Sequence, residues 1–147
     1  MPKVIVIVGS TAVGKTDLSL DIAQQLDAEI INADSMQLYR GMNIGTAKVA
    51  VEDRRGITHH MLDVLEVTET ANVADFQREA RNAIDEIHAR GKRVVVVGGS
   101  GLFVQGLLED MQFPGSDPEV RERLTAQAEE FGAQAMYERL QALDPEA

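Results

Sequence analysis

The 147-residue chain is the size of one ordinary domain, and with 44 % hydrophobic and 26 % charged residues it reads as globular rather than disordered or fibrous. Cysteine is absent, which excludes disulfide scaffolds, thiolate metal sites and cysteine nucleophiles, and no apolar run is long enough to cross a membrane. Net charge is −10: residues 1–110 carry 16 acids against 11 bases and residues 111–147 carry 8 against 3, a balance that taken alone argues against nucleic acid.

The chain opens on a strand-like segment and not on a signal peptide, so the cytoplasm is the expected compartment. Lys3 to Val8 is β-branched and apolar without polar alternation, the pattern of a strand covered on both faces. A glycine-bearing loop leads to Lys15–Leu26, where Leu18, Ile22, Ala23 and Leu26 recur at helical spacing. Glu29 to Asp34 reads as a second strand ending on a carboxylate, which completes a strand–loop–helix–strand unit. From Ser35 to about Thr70 the pattern is irregular, broken by Gly41, Gly45 and Gly56.

Val73 to Ala89 is a helix on the spacing of Phe76, Ala80, Ile84 and Ile87, with Gly91 as its stop. Arg93 to Val97 is another buried-type strand, closed by Gly98-Gly99-Ser100-Gly101, and Leu102 to Leu108 starts a helix. Phe113 to Ser116 breaks the pattern. Asp117-Pro118 restarts it as an N-cap with proline at the first helical position, followed by two charged helices, 118–131 and 133–143, around Gly132. The expected fold is α/β: a P-loop NTPase-like parallel sheet with flanking helices over 1–112, then a charged helical segment over 113–147.

Gly9-Ser10-Thr11-Ala12-Val13-Gly14-Lys15-Thr16 is a complete G-x-x-x-x-G-K-[ST] loop between a strand and a helix. Its backbone N–H groups and the helix N-terminus form an anion cradle, Lys15 adds a point charge, and the Thr16 hydroxyl can ligate Mg²⁺. The loop implies a phosphate or pyrophosphate site but not a reaction. Asp34 falls on the sheet edge where α/β folds bind ligands, though the residue type also suits a turn cap. Gly98 to Gly101 emerges on the same edge, either as a close backbone approach or as a tight strand–helix turn. Glycine stands after Val97 where phosphate-loop enzymes usually carry an aspartate, which argues against an ordinary ATPase or GTPase. His59 and His60 are adjacent, and neighbours in an extended chain point to opposite faces, so joint ligation of one metal is awkward. His88 is expected on the surface, and Met36, Met42 and Met61 are expected to fill core.

Beyond the phosphate loop, the run from Ile31-Asn32-Ala33-Asp34-Ser35-Met36-Gln37-Leu38-Tyr39-Arg40 to Gly41-Met42-Asn43-Ile44-Gly45-Thr46-Ala47-Lys48 resembles the signature of the tRNA dimethylallyltransferases, also called tRNA isopentenyltransferases. His59-His60-Met61-Leu62-Asp63, Gly98-Gly99-Ser100-Gly101-Leu102-Phe103 and Asp117-Pro118-Glu119-Val120-Arg121 extend the likeness over essentially the whole chain, and the last resembles the start of the family's α-helical insert, which would make 113–147 the start of that insert. The resemblance implies prenyl transfer. Residues 9–16 would hold the pyrophosphate of dimethylallyl diphosphate with Mg²⁺, Thr16 ligating the ion. The N6 amine of the tRNA adenosine beside the anticodon, flipped from its stack, would attack the allylic carbon. Asp34 would be the base or acceptor for that amine, Lys15 would offset charge on the leaving group, and Ser100 would contact substrate or leaving group. Ser35, Met36 and Gln37 would line the adenosine pocket, and Arg121 would contact tRNA.

The chain departs from the family pattern with Ser10 for proline, Ser100 for threonine and Phe103 for tyrosine. Family members are roughly twice as long, so the chain is expected to be a fragment that lacks the basic half. A full-length enzyme is expected to be monomeric. The alternatives are prenyl transfer to free adenine nucleotides, a small-molecule kinase, and an inactive module that binds nucleotide or pyrophosphate.

Overall fold

The computed structural model describes residues 3–10, 12–113, 115 and 117–146. The opening β-branched run forms a strand over Ile5–Val8 (β1). The loop after it gives way to a helix over Lys15–Leu26 (α1), which Asp27 ends in the left-handed conformation. The second strand, Ala28–Asn32 (β2), is buried along its whole length. It stops two residues short of Asp34, because Asn32 diverts the following backbone to its own side chain: Asp34 N donates to Asn32 Oδ1 at 3.2 Å, and Asn32 Nδ2 donates to the Asp34 carbonyl at 3.0 Å. Asp34 therefore stands in a loop beyond the strand.

The segment expected to be irregular contains a 3-10 turn, Val51–Arg54, and a two-residue strand, His59–His60 (β3). A helix over Val73–Ala89 (α2) follows, capped by Asn72 and buried through Phe76, Ala80, Ile84 and Ile87. Gly91 supplies the stop with φ 74°. Next come a strand over Arg93–Gly98 (β4) and a helix over Gly101–Leu108 (α3).

All four strands are parallel, in the order β1-β4-β2-β3. The two strands of the expected strand–helix–strand unit are thus not neighbours: β4 lies between them, the central place that suits its unbroken valine run. Val94 and Val96 face a core shared with Ile31, Phe76, Ile84, Ile87 and Leu107 under α2 and α3. Val95 faces the opposite core with Ile7, Leu20, Ala23 and Ile30 under α1. Phe103 stacks on Phe76 with ring centroids 4.7 Å apart, an apolar position where a tyrosine would need a hydroxyl partner. Arg81 and Gln77 of α2 reach the carbonyls of Glu109 and Gly106 at 2.6 Å each and so tie down the end of α3.

The chain forms two compact units, Met1–Met111 and Gln112–Ala147. In the second, Asp117 caps the amides of Glu119 and Val120 and a helix runs over Pro118–Leu143 (α4). The two helices expected there are the two arms of α4, which meet at the single non-helical residue Gly132 (φ 81°, ψ 163°). Pro114 and Ser116, in the predicted break, lie outside the described residues. Among the described residues no helix is long and apolar enough to cross a membrane.

Two sequence expectations need correction. His88 is half-buried, beside the core residue Ile87, with Nδ1 enclosed and unpartnered among the described residues. Met36 is 48 % exposed instead of filling core, because it follows the turn at Asp34, whereas Met61 is buried.

Near the start of β2 the Glu29 side chain is only 6 % exposed, and it accepts from His60 Nε2 at 2.6 Å and Arg90 at 2.8 Å. Burial would push its carboxyl up, but the hydrogen bonds from His60 and Arg90 and their charges outweigh this and hold it below the usual carboxylate range. Burial lowers His59. Both groups resist protonation in the folded chain more than in the unfolded one, so both withdraw stability as the solution is acidified. The melting temperature is expected to fall as pH drops below about 6.5, where unfolded histidine takes up its proton, and further below about 4.5 as Glu29 protonates. Glu29→Gln should flatten the lower part of that profile in a calorimetric pH series.

A Cβ placed on Gly98 would lie 2.9 Å from the Ala33 Cα and closer still to its carbonyl carbon and oxygen. Gly98→Ala is therefore expected to cost about 1–3 kcal/mol in a denaturant titration, the usual penalty for overpacking.

Candidate active site at the carboxyl edge of the sheet

The loop after β1 turns through two left-handed positions, Ala12 (φ 64°) and Gly14 (φ 84°), and enters α1 at Lys15. No side chain caps the first turn of α1, so its N-terminal amides keep their capacity for an anion. Lys15 folds back on the loop, donating from Nζ to the carbonyls of Gly9 at 2.8 Å and Ser10 at 2.6 Å. Thr11 lies outside the described residues, and Val13 is 61 % exposed.

β4 brings Gly98 and Gly99 up beside this loop. A Cβ on Gly99 would meet the Gly9 carbonyl at 3.4 Å and Lys15 Nζ at 3.9 Å. The close approach of Gly98 to Ala33 gives a steric reason for the missing aspartate, since a side chain there has no room. Past Gly99, the Ser100 hydroxyl accepts from the Ser35 amide at 3.0 Å and donates to the Ser35 hydroxyl at 3.2 Å, tying the turn after β4 to the turn after β2.

Asp34 carries both of its sequence readings. Oδ1 accepts from the Met36 amide at 2.9 Å as a turn cap, while Oδ2 has no hydrogen-bond partner among the described residues. A cleft of about 280 Å³ gathers Asp34 and Gln37 with Ala12, Gly14, Lys15 and Thr16, and Val97 to Gly99 complete its floor. Ser35, Met36 and Ser100 do not line it, and Arg121 lies in the second unit, on α4. A larger groove of about 670 Å³ beside β3 and α2 shares no residue with the cleft. The two histidines have separate partners: His59 Nδ1 lies 2.9 Å from the Ile57 carbonyl, and His60 meets Glu29. No group of three metal-ligating His, Cys, Asp or Glu side chains occurs among the described residues.

Sequence reasoning gave no role to Asn32, Lys48 or Thr46, which help to shape this edge. Asn32, buried, donates to the Met61 carbonyl at 2.9 Å as well as to Asp34, fastening the β2 and β3 exits together. An asparagine closing an apolar strand was the available signal. Lys48 pairs with Asp63 at 2.6 Å, and Gln37 holds the Thr46 carbonyl at 2.9 Å, which places Thr46 and Ala47 in the cleft wall.

The family model described as IPP transferase matches residues 37–147. The chain belongs to the IPP transferase family. Within that family, the tRNA dimethylallyltransferase of Thermobifida fusca is 59 % identical over 152 residues, covering 100 % of this chain and 48 % of its own length. That of Streptomyces griseus subsp. griseus is 55 % identical, covering 99 % and 47 %. The crystal structure of the full-length tRNA isopentenylpyrophosphate transferase of Bacillus halodurans aligns with TM-score 0.74 at 42 % identity, over 99 % of this chain and 49 % of that one. A eukaryotic dimethylallyltransferase solved acting on tRNA aligns with TM-score 0.84 at 35 % identity, over 99 % and 36 %. The family likeness read from the sequence is thus borne out, and the chain spans about half the length of the curated relatives it matches.

Asn32→Ala removes two side-chain donor bonds and leaves the Met61 carbonyl without its Asn32 donor. It is expected to destabilise the chain by about 1–3 kcal/mol, measured by chemical denaturation.

Proposed function

We propose that the chain carries the donor and base half of a tRNA dimethylallyltransferase, which moves a dimethylallyl group from dimethylallyl diphosphate to N6 of the adenosine beside the anticodon. The observation that supports this most is the single cleft joining the phosphate loop to the Asp34 carboxylate. The adenosine N6 lone pair forms the new C–N bond at the allylic carbon, the C–O bond to the diphosphate breaks, and pyrophosphate departs with that bonding pair. Asp34 accepts the N6 proton through its free oxygen. Amides of residues 14–17 and Lys15, released from its two loop carbonyls, receive the leaving charge. Gly9, Ser10, Ala12 and Val13 shape that cradle.

Thr16 would hold Mg²⁺, whose charge offsets that of the phosphate oxygens; the fit rests on the donor set, a hydroxyl and a carboxylate facing one cleft, both hard oxygen ligands. Ser100 acts on the acceptor side through Ser35, with Met36 and Gln37 beside it, and Arg121 offers a guanidinium to tRNA phosphate. A tRNA acceptor is compatible with the cytoplasm as the compartment. Because the chain spans half the length of its relatives, the second reading for the isolated chain is diphosphate binding without turnover.

Incubation with radiolabelled dimethylallyl diphosphate and either an anticodon stem–loop or AMP separates these readings. Label on the stem–loop supports the proposal, and label on AMP alone identifies nucleotide prenylation. Phosphoryl transfer from ATP without the prenyl donor sinks both. Diphosphate binding with no transfer identifies a binding module. Where transfer is seen, Asp34→Asn is expected to lower its rate by about 100-fold or more and to leave diphosphate affinity within about twofold.

A further inference from the structure

The mechanism above makes no use of a buried cation. The Lys48 side chain is only 3 % exposed, and its ammonium donates to Asp63 Oδ1 at 2.6 Å and to the Tyr39 carbonyl at 2.6 Å. Asp63 is itself anchored: its amide donates to the Gln37 carbonyl at 3.3 Å, and its carbonyl accepts from Arg40 Nε at 2.7 Å. Tyr39 bridges to Leu65 in parallel register, so both partners of Lys48 belong to one hydrogen-bonded base. The lobe carried on that base, residues 41–48, is closed on itself by Thr46 Oγ1 to the Met42 carbonyl at 2.6 Å and by Lys48 N to the Asn43 carbonyl at 3.1 Å. Among the described residues its side-chain ties to the rest of the chain are those of Lys48 and the bond from Gln37 to Thr46.

The lobe presents Thr46 and Ala47 to the phosphate cleft. Ala47 sits there at φ 51°, a left-handed conformation alanine rarely adopts, so the surrounding bonds determine its place. A phosphate needs amides and cations, which the phosphate loop supplies. Ala47 and Thr46, whose hydroxyl is spent on the Met42 carbonyl, bring no charge to the cleft, and beside Val97 they suit a short branched hydrocarbon better than a second anion. We propose that the Lys48–Asp63 ion pair is a positioning element: it holds Thr46 and Ala47 against the cleft and so makes the site select a prenyl diphosphate ester over inorganic pyrophosphate. This rests on the reading of the cleft as a diphosphate site, not on the identity of the acceptor.

Titration calorimetry on the whole chain with dimethylallyl diphosphate and with inorganic pyrophosphate tests it. The unaltered chain should bind the ester more tightly. Lys48→Met should weaken ester binding by about tenfold or more, within the range that one lost small-group contact commands, and leave pyrophosphate within about twofold. Lys48→Arg should restore part of the ester preference. Asp63→Asn, at a side chain 39 % exposed and so less exposed to misfolding, should shift the preference in the same direction by a smaller factor. Equal binding of both ligands by the unaltered chain, equal weakening of both in the variants, or an unchanged preference would each overturn the inference. Failure of the unaltered chain to bind either ligand overturns the diphosphate reading with it. Ester preference lost in Lys48→Met without any transfer to RNA would uphold the inference and count only against the acceptor assignment.

Discussion

Where β2 and β4 leave the sheet, their backbones pass so closely at Ala33 and Gly98 that no side chain fits between them. The last rung of the ladder, Ala33 N to the Val97 carbonyl at 2.8 Å, holds them at that distance. Strand order does the rest. With β4 between β1 and β2, the bare backbone of Gly98 and Gly99 lies between the phosphate loop and the Asp34 turn. A larger residue at Gly98 would spread the two exits and separate the carboxylate from the anion cradle. The steric constraint on one glycine therefore governs both the fold and the chemistry of the edge.

On the far side of Asp34 the chain has little regular structure to lean on, and hydrogen bonds to named side chains replace it. Asn32 fastens the exit of β2 to that of β3, Arg40 and Lys48 converge on Asp63, and the Tyr39 hydroxyl accepts from the Ala71 amide at 3.0 Å. Long stretches of polar sequence are thus consumed by the scaffold. Leu38, buried to 2 % exposure in the same stretch, pins the loop to the core from below.

How much of this the sequence disclosed depended on the range of each interaction. Periodicity marked α1 and α2 to the residue, because helical spacing and capping are local. The phosphate loop was legible for the same reason, since its spacing is its mechanism. Strand order was not legible: no local pattern announces that Val94–Val97 inserts between β1 and β2. Nor was β3, whose two histidines carry no strand signal beyond their neighbours. Lys48 and Asp63 are 15 positions apart and joined only by the tertiary path, so their pairing left no mark in either's surroundings. Asp34 was read as the end of the second strand; that it stands in the loop beyond, one oxygen capping a turn and the other without a partner among the described residues, needed the geometry.

The posture of Lys15 has a further consequence. Its charge is already met by two carbonyl oxygens of its own loop, so the cleft does not present a bare cation to the solution. Two of the three ammonium N–H groups are thereby spent, so an incoming anion meets one free donor unless it also displaces the loop carbonyls. On the proposed reading, a diphosphate has oxygens enough to take up the helix amides and the lysine together, whereas a small anion with one or two oxygens does not. Self-occupation of the loop would then favour ligands of high denticity.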